Sequence, residues 1–214
     1  LTAEFLSDYT ASDVVDTAVT LTNNAPSQFA LGDTTVTLTA TDDAGNVATL
    51  TATIKVTDQT APNLAATAID SEATSAAGAV VTETAILAAI TSSDNVDQVV
   101  FPQLVNALPT NFALGSTDVQ VQGEDNAGNS TTITAVVTIV DTTKPVITGE
   151  ALQLLAETPS SVILSSDPVI MAWSDTIAAS DIVDGAVTVT YQLPASFAVG
   201  TQDIVFTATD AAGN

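Results

Sequence analysis

Carboxylates recur at three fixed kinds of place in this chain, and their grouping suits coordination of a hard cation. Thirteen of the 25 acidic residues lie there. Asp58 and Asp141 open the segments DQTAP (58–62) and DTTKP (141–145). Asp13 and Asp16, Asp94 and Asp97, and Asp181 and Asp184 belong to the motif Ser-Asp-x-Val-Asp. Asp42, Asp43, Glu124, Asp125 and Asp210 stand at Ala-Gly-Asn turns. A solvated surface would scatter its acids. Carboxylates brought close together repel, and more strongly away from bulk water. Ca²⁺ relieves that repulsion and accepts about six to eight oxygens in loose geometry, whereas Mg²⁺ demands a stricter octahedron and keeps more water.

A single Asp-Ala-Gly-Asn turn needs no metal, because Asp caps turns through its own side chain. The chain has no EF-hand spacing and no nonapeptide calcium repeat. The metal reading therefore depends on distant segments converging. If strands alternate direction in a sandwich, Asp58, Asp94, Asp97 and Asp125 meet at one pole and Asp141, Asp181, Asp184 and Asp210 at the next. Asp13, Asp16 and Asp42 form the corresponding set in the first copy.

Other chemistries have few residues to draw on. There are no Cys, His or Arg residues and only two Lys, giving a net charge of −23. Nucleophilic triads, thiolate or imidazole zinc sites and phosphoryl clamps cannot be assembled from such a set. A carboxylate pair for glycoside hydrolysis is formally possible, but no enzyme is expected. Nothing neutralises phosphates, so nucleic acid is excluded as a partner, and so is an anionic membrane surface. No apolar run is long enough to span a bilayer. A hydrophobic content of 46% separates the chain from acidic disordered tails.

The elements that must position these acids come in copies. The turn reads ATDDAGN at 40–46, GEDNAGN at 123–129 and ATDAAGN at 208–214, so its Asp steps from 42 to 125 to 210. PSQFALG (26–32), PTNFALG (109–115) and PASFAVG (194–200) precede the three turns in the same order. A period near 83 residues is a domain rather than a solenoid unit. Around the turns the pattern has period two, with Leu50, Ala52, Ile54 and Val56 alternating with Thr, and Ile133, Ala135, Val137 and Ile139 doing the same. The expected fold is all-β, with tandem immunoglobulin-like β-sandwich domains arranged as a rod. Each turn closes a hairpin with Gly45, Gly128 or Gly213 at positive φ. Phe29, Phe112 and Phe197 close the cores. A second strand is expected at 85–90, with Phe5, Ile86 and Trp173 as equivalent core positions on early strands.

The junctions set the borders: 1–58 is a copy without its first strand, 59–141 is complete, and 142–214 lacks its last strand. The chain reads as an excerpt of a longer array, or else as one whose strand is completed by another chain.

The junction Asp-x-Thr-x-Pro, the Phe-x-x-Gly element and the Ala-Gly-Asn turn together resemble hyalin repeat (HYR) domains. They are equally similar to bacterial immunoglobulin-like repeats of large surface adhesins. The resemblance implies an extracellular stalk or adhesive module, and Asp- and Pro-bearing junctions look like the calcium-stiffened linkers of cadherins. Cysteines usual in animal hyalin repeats are absent, which favours a microbial source. The expected function is a non-catalytic surface-adhesin segment with Ca²⁺ at its interdomain junctions and neighbouring repeats as partners. Alternatives are a filament or surface-layer subunit assembled from identical chains, and a carbohydrate-binding or spacer module, for which only Trp173, Tyr9 and Tyr191 are available as platforms. The Asn129-Ser130-Thr131 sequon falls in a turn and reads as incidental.

Overall fold

The computed structural model describes residues 9–155, 157–158 and 162–214; Phe5 lies outside the described residues. The fold is all-β with immunoglobulin-type sandwich packing, and the chain divides into two compact units.

The first unit comprises the chain up to Pro62 together with the loops 94–98 and 124–130. Its sheet is β1 (Thr20–Asn23), β2 (Gly32–Thr41) and β3 (Val47–Val56), in that order and antiparallel. The Thr alternation becomes one apolar face, as a pleated strand requires. Val36 and Leu38 of β2 are fully buried, whereas their β3 partners Ala52 and Leu50 are half-buried and exposed.

The second unit holds the remainder of the chain. Its best-packed sandwich sets β4 (Asn63–Ala66) and β6 (Ile90–Ser93) beside a four-stranded sheet. That sheet contains β5 (Ile69–Glu72), β7 (Gln103–Leu104), β8 (Gly115–Glu124) and β9 (Ser130–Val140) in the order β5-β9-β8-β7, with β5 and β9 parallel. Phe112, Val121, Ala135, Val137 and Ile139 bury completely between the layers. Each such side chain contributes roughly 1.5–3 kcal/mol, less for Ala. Phe112 is held by a two-way backbone bridge with Ala79 (3.0 and 2.8 Å). Gly78, at φ 90°, permits the close approach, because a Cβ there would collide with the Phe112 carbonyl.

The segment expected as a second strand is mostly helical. α1 spans Glu83–Ala88, with Thr82 accepting from the Ala85 amide as its N-cap. A cap followed by Ala- and Leu-rich sequence outweighs the short apolar run that suggested a strand. Ile86 is still a core residue, but from the helix. Trp173 is corrected in the same way, since it sits on α2 (Pro168–Ser174), which starts with the cap Asp167 and a proline at its first position.

The rest of this unit consists of β10 (Val146–Thr148), β11 (Val162–Leu164), β12 (Ala178–Asp181), β13 (Gly185–Val187), β14 (Val189–Tyr191), β15 (Ser196–Ala198) and β16 (Phe206–Ala208). They pair as β10-β12-β13, β11-β15 and β14-β16.

Candidate metal centres

The motif Asp residues brace the loops that carry them through their own carboxylate oxygens. The first Asp of Ser-Asp-x-Val-Asp uses Oδ1 to accept two backbone amides. Asp13 takes Val15 and Asp16 (2.7 and 3.0 Å), Asp94 takes Val96 and Asp97 (2.8 and 2.9 Å), and Asp181 takes Val183 and Asp184 (2.6 and 3.1 Å). The second Asp ties this loop to the hairpin turn. Asp16 accepts from the Asp43 amide (3.1 Å), Asp97 from the Asn126 amide (2.8 Å) and Asp184 from the Ala211 amide (2.8 Å). The junction residues Asp58 and Asp141 cap the amides of Thr60 and Thr143 (3.0 and 3.2 Å).

The hairpin carboxylates are engaged differently. Asp42, Asp125 and Asp210 each accept both the backbone and the side-chain amide of the turn Asn, at 2.7–3.0 Å. The turns need a left-handed residue, and Gly45, Gly128 and Gly213 supply it at φ 86°, 90° and 93°.

Among the described residues, two groups of three carboxylates result. Oxygens of Asp58, Asp94 and Asp97, all in the first unit, lie within 4.8 Å of one another. So do oxygens of Asp141, Asp181 and Asp210, all in the second. Of the four carboxylates expected at each junction, three converge, and the one left out differs. Asp125 stands outside the first group and exposed Asp184 outside the second, although Asp125 and Asp210 accept the same bonds from their turn Asn, and Asp97 and Asp184 both accept a hairpin amide. Among the described residues, Asp13, Asp16 and Asp42 form no such group.

Three oxygens in these groups, Asp58 Oδ2, Asp94 Oδ2 and Asp181 Oδ2, are buried without a hydrogen-bond donor. Asp181 as a whole is 93% buried, with only 7% of its surface exposed. Buried charge without a partner is costly, and native structures rarely keep it. Hard anionic oxygens, half-buried or buried and supplied by two segments at the first group and three at the second, fit Ca²⁺ by donor type.

The HYR domain family model matches residues 3–58. The chain carries an HYR-like repeat. Over 226 aligned positions it is 29% identical to Hyalin of Strongylocentrotus purpuratus, a match covering 98% of this chain and 18% of Hyalin, so the chain spans under a fifth of that relative. Among solved structures, extracellular cadherin domains 1–4 of protocadherin gamma B7 align at 13% identity with a TM-score of 0.30, covering 84% of this chain and 49% of that one.

Two features of the carboxylate groups escaped the motif reading. The turn Asn is a tie as well as a cap. Asn129 Nδ2 donates to the Asp58 carbonyl (3.3 Å) and Asn214 Nδ2 to the Asp141 carbonyl (3.0 Å). The invariance of Asn across all three turns was the available signal. It also means that the sequon nitrogen of Asn129 is already engaged. The second feature is Glu72, whose carboxylate accepts from the Thr142 amide (2.8 Å) and from the hydroxyls of Thr142 and Thr143 (both 2.9 Å), bracing the junction that carries Asp141. No repeated motif contains it.

Electrostatics separate these roles. Burial and the nearby charges of Asp181, Asp210 and Glu72 raise the Asp141 pKa, against the Thr143 amide. Burial also opposes ionisation of Asp125 and Asp210, but the donors of Asn129 and Asn214 outweigh it and hold both below the ordinary carboxylate value. Asp42 is lowered chiefly by Asn46, and Glu72 chiefly by the Thr142 amide.

Proposed function

We propose that this chain is a non-catalytic segment of an extracellular adhesive or stalk protein, in which Ca²⁺ bound by the two carboxylate groups fixes each repeat to the next. The observation that carries this reading is Asp181: a residue 93% buried, with one unpartnered oxygen, whose carboxylate lies within 4.8 Å of those of Asp141 and Asp210. The surface location rests on the HYR match and the Hyalin relative, and a microbial source on the absence of Cys. Without the ion, carboxylate repulsion loosens the junction. With it, the junction Asp, the Ser-Asp-x-Val-Asp loop and, at the second group, the hairpin Asp share one cation. A ligand that binds only the folded state at a hundred times its Kd stabilises by about 2.7 kcal/mol. Thermal melting in millimolar Ca²⁺ should therefore exceed melting in EDTA by several degrees, with Mg²⁺ a poor substitute. Equal melting temperatures would remove the metal from this account. Small-angle scattering should show a longer, stiffer particle with Ca²⁺.

A sugar-binding role has less support. The rings of Trp173 and Tyr191 both pack against Phe206, with centroids 5.7 and 5.0 Å away, and the indole nitrogen of Trp173 donates to the Glu150 carbonyl.

A further inference from the structure

We propose that the outward face of the sheet β1–β2–β3 is a binding surface for ice. The proposal is independent of the metal reading. On β2 the buried Val36 and Leu38 point to the core, so Thr35, Thr37, Thr39 and Thr41 stand on the opposite face. The strand register carries that face across the sheet. Thr22, Thr39 and Thr49 form one row, and Thr37 pairs with Thr51 in the next. Thr20–Thr41 and Thr35–Thr53 extend the field at its two ends. All nine threonines are exposed or half-buried. They form a two-dimensional grid with no charged residue inside it, in a chain of net charge −23.

The hydroxyls of this grid are left for an outside partner. Among the described residues only that of Thr22 finds an acceptor in the protein, the Thr39 carbonyl at a long 3.4 Å. By contrast, the hydroxyls of Thr142, Thr143, Thr176 and Thr190 are spent on protein acceptors at 2.7–3.1 Å. Nor does the fold require the grid. At the matching positions of β8 the complete repeat carries Asp118, Gln120 and Gln122, and Gln120 donates across to Thr134 (2.7 Å). Threonine is β-branched, so its methyl and hydroxyl are held in few orientations before any ligand arrives.

Spacing indicates the ligand. Threonines on neighbouring strands lie about 4.8 Å apart, and those two residues apart on one strand about 6.8 Å. Oxygen repeats on the prism faces of hexagonal ice lie close to both. A crystalline surface gains from every added row, whereas a small solute uses one or two hydroxyls. A sugar surface would favour aromatic platforms, and the grid contains none. Sheet twist of roughly 20–25° per strand step limits the fit to the middle rows, so Thr39, Thr49 and Thr51 carry most of it.

The test is the effect of the full chain on ice. The parent should facet growing crystals and halt their growth over a measurable interval below the melting point. Thr51→Lys, at an exposed position of β3, should abolish both effects, and Thr49→Lys is a second variant with the same expected loss. Thr53→Lys, at the end of the field, should only weaken them, and Thr134→Lys in the complete repeat should change nothing. Circular dichroism checks that each variant is folded. Ice growth indifferent to the parent, or impaired equally by the parent and both middle-row variants, would overturn the proposal. So would variants that lose binding to crystalline cellulose while acting on ice as the parent does, because a polysaccharide would then be the occupant.

Discussion

The two carboxylate groups are built from the same motifs but differ in depth. Asp58, Asp94 and Asp97 are all half-buried, whereas Asp181 and Asp210 are buried beside half-buried Asp141. The valine inside the motif follows suit, with Val96 39% exposed and Val183 6% exposed within the hydrophobic core cluster. Neighbouring residues account for part of the divergence. At the shallower group Asn126 donates its side-chain amide as well as its backbone to Asp97, locking that carboxylate toward the turn (2.6 and 2.8 Å). At the deeper group the same turn position is Ala211, which offers only its backbone amide, to Asp184. Glu72 also braces the deeper junction through Thr142 and Thr143, while Thr60 at the shallower one receives only a long contact from Asn95 (3.4 Å). If the groups bind Ca²⁺ as proposed, one motif would yield sites of different strength, because burial sets how much repulsion a cation relieves.

The sharpest way to break this comparison is Asp181→Ala. It removes the most buried unpartnered oxygen and should weaken the tighter Ca²⁺ site by roughly tenfold or more, since ligand charge tunes affinity over decades; melting with and without Ca²⁺ measures it. Asp94→Ala at the shallower group should reduce the Ca²⁺-dependent gain in melting temperature less. If Asp94→Ala proves the more damaging, depth is not what ranks the sites.

Asp141→Asn gives a sign test of intermediate size. Its carboxylate is disfavoured by burial and by Asp181, Asp210 and Glu72. Neutralising it should raise the melting temperature in EDTA and lower the Ca²⁺-induced gain. A loss of stability in both conditions would mean that the repulsion is already relieved without metal.

The smallest expected effect is at Glu72. Its folded-state pKa is depressed, so its contribution is present above the unfolded pKa and is lost as pH falls through the lower folded value. Glu72→Gln should cost no more than about 2 °C near neutrality, and the difference from the parent should vanish in acid. A difference that persists at low pH would point to packing rather than charge.

Much of this architecture was legible in the residues, for a physical reason: anything repeated three times in one order had to serve one local geometry. That held for the Ala-Gly-Asn hairpins, for positive φ at their glycines and for alternation in β2, β3, β8 and β9. The junction occurs only twice, and there Asp58 gathers with Asp94 and Asp141 with Asp181, whereas Asp13, Asp16 and Asp42 form no group among the described residues. The helices around Ile86 and Trp173 were missed because six or seven residues carry too little periodicity to distinguish helix from strand, and the caps Thr82 and Asp167 were the better guide. Which Asp completes each group was not legible either. Asp125 and Asp210 occupy the same motif position and accept the same bonds from Asn129 and Asn214, so no motif or spacing distinguishes them. Glu72 was missed because it acts on a junction 70 residues away.

Calorimetric titration of the metal-free chain with Ca²⁺ tests the central claim most directly. The account predicts two bound ions per chain in two affinity classes, with Asp181→Asn weakening the tighter class and leaving the weaker one intact. No binding at millimolar Ca²⁺, or binding indifferent to both Asp181→Asn and Asp94→Asn, would contradict it.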